Sequence, residues 1–280
     1  MDAPAAVLAL ILAEAAIGGL VFVWLAPTWG NLRHGYEILV TATLALMAWG
    51  AWASLQSPMA TVAGDSARAL SLTTWTSRGL AATAILAAVA VVVLAVRIQP
   101  VVGRIAGISA TVAGVASLVP LAGLRTLRDG AGGWGLGVLE LVLGAILLGA
   151  IWDGMVLGHW YLVERRLSNR YMVWMAKVNV GAVVAGFGSV ALSSLNAPPC
   201  VGLAGAELST CVSTISPLLS VGNMTLLIGF GVMALIAVIA GFNLRLANEG
   251  GRSIQASTGM FYLAVILAPA AEFAAKLRFF

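Results

Sequence analysis

Residues 151–171 read IWDGMVLGHWYLVERRLSNRY and set Asp153, His159, Tyr161 and Glu164 into an otherwise apolar run. Lys177 follows about a turn and a half into the next apolar run. Imidazole, phenol and carboxylate at one end of a small-residue helix suit a quinone. They can bond its carbonyls, pass protons to and from it, and flank an apolar slot with aromatic walls. Asp153, His159, Tyr161, Glu164 and Lys177 are therefore expected to form a quinone site or a proton path, with Asp153 the deepest. Glu14, Glu140 and Glu272 are further acids in apolar runs, and Asn179 is a polar amide in one. A charge near the bilayer centre costs a few kcal/mol, so such groups face the bundle interior and have a partner or a task.

Helical geometry separates the members of this set. At about 100° per residue, Asp153, Trp160 and Glu164 share one face, and His159 points about 120° away from Asp153. The two are not a local dyad, and each needs a partner from another helix. The plain account of Lys177 is an ion pair with Glu164, and of Glu272 and Lys276 a local helix pair at i,i+4. His34 and His159, the chain's two histidines, are the one pair that could ligate a b-type haem. Without haem, His159 makes a structural hydrogen bond and His34 sits at headgroup level.

The elements that must position these groups are membrane helices. The chain is 61% hydrophobic and 9% charged, with mean hydropathy +1.01. A soluble domain carries roughly a quarter charged residues, so the solvent here is mostly lipid. Spans are expected at 3–25, 36–55, 80–96, 105–124, 136–163, 172–195, 224–242 and 259–275, each near the length a bilayer requires. The fold class is an all-α polytopic bundle of about eight transmembrane helices in a single domain. Seven spans with an interfacial last helix is the alternative, because Pro269, Glu272 and Lys276 crowd the final segment. The first run has no basic flank and is read as retained and not as a cleaved signal. Residues 57–78 are expected as a connection carrying a short surface helix, with Trp75 at the headgroups. The glycines within spans favour close helix contact, with span five central. A weak parallel repeat relating 1–130 to 131–280 starts from Glu14 and Glu140.

Cys200 and Cys211, in a Gly/Pro-rich connection, are expected to pair as a disulfide on the oxidising side. That puts Arg165, Arg166 and Arg170 on the cytoplasmic side and points to a bacterial inner membrane. The net charge of +4 forms no compact basic patch, so nucleic acid is not an expected partner. No CxxC, HExxH, Walker or dinucleotide fingerprint occurs in a fitting context.

Three functions fit these observations. The first is an integral subunit of a respiratory or electron-transfer complex, anchored in lipid beside other subunits. The second is a secondary transporter or channel using buried carboxylates such as Asp153 and Glu14. The third is a structural or assembly protein.

Overall fold

A computed structural model describes residues 3–29, 34–97, 99–127, 133–164, 167–196, 204–209 and 224–279. Its long helices are α1 (Ala3–Leu25), α2 (His34–Ala63), α3 (Ala67–Val96), α4 (Pro100–Arg125), α5 (Trp134–Val163), α6 (Arg170–Ser193), α7 (Met224–Glu249) and α8 (Ser253–Lys276). All eight are long and apolar enough to cross a membrane. Among the described residues there is no strand. The chain is a multi-pass membrane protein built as a helix bundle.

The helices alternate in direction. One face of the bundle, the first face, is where α1, α3, α5 and α7 begin and the even-numbered helices end. Burial sorts the helices into layers. In α1, 83% of the apolar window is buried, against 33% for α2, α3 and α7. α1 is thus the core helix, with α5 packed alongside and α2, α4 and α8 also in contact. A helix that is apolar on every side fits that position.

The α1–α5 contact is made by bare backbone. A Cβ on Gly149 would lie 2.1 Å from the carbonyl carbon of Gly18, and one on Gly18 would lie 1.8 Å from the carbonyl oxygen of Ala145. In lipid no hydrophobic force joins helices, and such contact supplies the dispersion that does. Between α7 and α8, Gly250 and Gly251 take the left-handed conformation, with φ of 67° and 58°.

One expectation about the chain's course is corrected. Residues 57–78 are not a loop with a surface helix: α2 runs to Ala63, α3 begins at Ala67, and only residues 64–66 connect them. Ser66 caps α3, its hydroxyl accepting from the Ala69 N–H at 3.0 Å. The polar extensions stay helical because they bond each other. Trp52 Nε1 donates to Ser77 Oγ at 3.1 Å, and Gln56 Nε2 donates to the same oxygen at 3.2 Å. The last segment, as expected of an eighth span, is long and apolar enough to cross a membrane, which favours eight spans over the seven-span alternative. α8 packs on α5 and α7, and Glu272 and Lys276 turn into the bundle, each 0% exposed.

Candidate functional site

Glu14, Arg125, Glu140, Glu272 and Lys276 converge inside the bundle toward its first face. Each is at most 1% exposed. They come from α1, α4, α5 and α8, so no local stretch of chain holds more than two of them. Lys276 is the hub. Its Nζ lies 3.2 Å from Glu14 Oε1, 3.1 Å from Glu272 Oε2 and 3.4 Å from Glu140 Oε1. It also donates to Ser189 Oγ of α6 at 2.9 Å, and Ser189 in turn donates to Glu272 Oε2 at 2.9 Å. An ammonium has three protons, fewer than the oxygens around it. The expected Glu272–Lys276 helix pair is present, as one edge of this larger network.

Arg125 closes the network from α4, donating from Nη1 to Glu140 Oε2 at 2.7 Å. Its guanidinium lies 5.4 Å from the centroid of Phe279. Asn196 Nδ2 donates to the same Glu140 oxygen at 3.4 Å, and Arg278 Nη1 donates to the Asn196 carbonyl at 3.3 Å. Gly144 makes room for the acids: a Cβ there would lie 2.6 Å from Glu14 Oε1 and 2.9 Å from Glu272 Oε2. Within the five-residue cluster three carboxyls meet two cations. The cluster therefore holds one more acid than base, in surroundings where unpaired charge is costly. Glu14 Oε2 and Glu272 Oε1 have no hydrogen-bond partner among the described residues.

Asp153 stands deeper on α5, 1% exposed, with neither carboxyl oxygen hydrogen-bonded among the described residues. It faces α1 and α2: a Cβ on Gly19 would lie 3.1 Å from Asp153 Oδ1. Tyr36 of α2 donates from its hydroxyl to the Asp153 backbone carbonyl at 3.4 Å. Trp160, on the same face of α5, packs edge-on against Tyr36 with ring centroids 6.5 Å apart. The rotational reading of span five thus holds, with Asp153 and Trp160 inward and His159 elsewhere.

The other sequence-selected residues disperse. His159 is exposed on the bundle surface, its Nδ1 3.1 Å from the Tyr262 hydroxyl of α8. Tyr161 clips the α5–α6 connection, donating to the Ser168 carbonyl at 2.5 Å and accepting from the Met172 N–H at 3.2 Å. Lys177 turns outward on α6, 5.4 Å from the centroid of Trp174. It does not make the ion pair expected with Glu164, which ends α5. His34 Nδ1 lies 3.3 Å from Glu37 Oε2, and Arg104 Nη2 bonds the other oxygen of Glu37 at 3.1 Å. The two histidines turn to different neighbours. Among the described residues no group of three or more metal-ligating side chains occurs. Cys200 and Cys211 lie outside the described residues.

The acids Glu14 and Glu140 were legible as site candidates, but Arg125 and Lys276 were not. At the end of a span each reads as an interfacial flanking charge. The available signal was the surplus of acids in apolar runs, which requires cations from somewhere. Comparison of the chain with protein-family models, curated proteins and solved structures found no match.

Proposed function

We propose that this protein moves protons, or a solute coupled to them, across a membrane by way of its buried acids. The observation that supports this reading is the wholly buried cluster with one more carboxyl than cation. Such a site satisfies its charge by holding a proton, and loses that balance when the proton leaves. Intramembrane carboxylates are a common element of proton relays in pumps and transporters. Asp153 supplies a second station. Its oxygen abuts Gly19, five residues and about 7.5 Å of helix rise along α1 from Glu14, so transfer between the two acids would run through bridging water.

The same path would serve a secondary transporter or a proton-conducting subunit of a respiratory complex. The quinone form of the second reading has less geometric support, because His159 and Lys177 face outward while Asp153 faces α1. A disulfide between Cys200 and Cys211 would set the first face, and with it the ion cluster, outside a bacterial cytoplasmic membrane.

The test is proton flux into liposomes carrying the purified protein, driven by a potassium diffusion potential and read with an internal pH dye. Wild type conducts, and Glu14→Gln and Asp153→Asn each lower the flux by at least about a hundredfold, the low end of what one positioned proton-transfer group contributes. Both variants insert and purify at wild-type yield. Flux that is absent from wild type across substrates and gradients, or unchanged in both variants, leaves these acids a packing role only.

A further inference from the structure

A lateral groove of about 620 Å³ runs between α3 and α4 near the first face. Its walls are Trp75 and Trp134, its floor is the small residues Gly79, Ala82 and Ala116, and Arg78 stands at its side. The two helices approach closely beneath it, for a Cβ on Gly79 would lie 2.5 Å from Ser117 Cβ. The floor is apolar and opens toward lipid; Val112, Val115 and Val119 nearby on α4 are exposed.

Depth decides what the groove meets. From Arg78 to the far end of α3 at Val96 is about 27 Å of helix. That is close to the thickness of a bilayer's hydrocarbon, about 30 Å. The Arg78 guanidinium thus falls at the boundary between acyl chains and headgroups, and the small-residue floor continues below it. Trp134 behaves as an interfacial tryptophan, its ring N–H bonded to the Val119 carbonyl at 2.7 Å. Arg78 lies 5.8 Å from the centroid of Trp75, and no carboxylate lines the groove among the described residues. A second cation, Arg68, sits 6.0 Å from the centroid of Trp134, held by a bond from Nη2 to Thr126 Oγ1 at 2.9 Å. The groove therefore offers an acyl-sized apolar slot beneath cations that have no carboxylate partner among the described residues.

We propose that this groove binds one anionic phospholipid, its phosphate on Arg78 and one acyl chain along Gly79, Ala82 and Ala116. The inference stands apart from the proton-path reading, since it uses none of the buried acids.

The experiment is native mass spectrometry of the whole protein equilibrated with phosphatidylglycerol and phosphatidylcholine of identical acyl chains. Wild type retains one phosphatidylglycerol in preference to phosphatidylcholine. Arg78→Gln lowers that preference about fivefold, the worth of one basic side chain at an anionic lipid surface. Ala116→Phe fills the slot and lowers retention of both lipids. Size-exclusion profiles matching wild type show that both variants remain folded. Equal retention of the two lipids by wild type, or undiminished phosphatidylglycerol on Arg78→Gln and Ala116→Phe together, overturns the proposal. So does a dimer that crosslinks through Ala116→Cys, which would make a second copy of the chain the occupant.

Discussion

Lys276→Met is expected to unfold the bundle under conditions the wild type tolerates. Lys276 is wholly buried and stands within 3.4 Å of three carboxyl groups. The methionine preserves volume and removes the charge. Arg125 then remains on Glu140, and Glu14 and Glu272 lose their cation in a site without bulk water. Removing one member of a buried charge pair costs about 3–5 kcal/mol, because the partner is left uncompensated. Thermal unfolding in detergent, followed by protease resistance or a shift in melting midpoint, measures this. Glu14→Gln supplies the contrast. It removes the surplus acid and keeps the amide within reach of Lys276, so its melting midpoint stays near wild type while proton flux falls. Combining Lys276→Met with Glu272→Gln restores part of the lost stability, because one stranded carboxyl has been neutralised. Wild-type stability in Lys276→Met would show that the cluster is not held together by its charges.

A comparably large effect is expected from Gly149→Val. The new side chain would begin 2.1 Å from one backbone atom of α1 and 2.3 Å from the next, the Gly19 nitrogen. Backbone cannot rotate aside as a side chain can, so α1 must move away from α5. Overpacking of a dense interior costs about 1–3 kcal/mol, and more where nothing yields. The displacement also carries Glu14 away from Lys276 and Gly19 away from Asp153, so both the cluster and the second station lose their shape. The expected result is little monodisperse protein after solubilisation, and none with proton flux. Gly181→Leu is the control: nothing lies within 4 Å of a Cβ there, on the lipid side of α6. That variant should purify as wild type, because a leucine in a helix facing lipid replaces the weakest helix former after proline with a strong one.

The spans were readable because a bilayer imposes a length and a polarity on any helix that crosses it. Boundaries were less readable. The extensions of α2 to Ala63 and α3 back to Ala67 are too polar for hydrocarbon, and the Ser66 cap and the mutual bonds of Trp52, Gln56 and Ser77 help to keep them helical. His159 and Lys177 attracted attention because ionisable groups in apolar runs usually face inward. Both proved to be near helix ends, where a long or aromatic side chain can satisfy itself on a neighbour, Tyr262 for one and Trp174 for the other.

The amino-acid order alone gave a chain that crosses a membrane about eight times, small residues that let its helices touch, and an inward expectation for Glu14, Glu140 and Asp153 that the bundle meets. Those results follow from transfer energies, which each segment carries by itself. Which cations meet which acids was decided only by tertiary structure. Arg125 and Lys276 stand at helix ends and look like interfacial charges until packing draws the end of α4 onto Glu140 of α5 and the end of α8 onto Glu14 of α1. A helix that is apolar on all sides does not declare its rotation or its neighbours; close packing against the other helices supplies both.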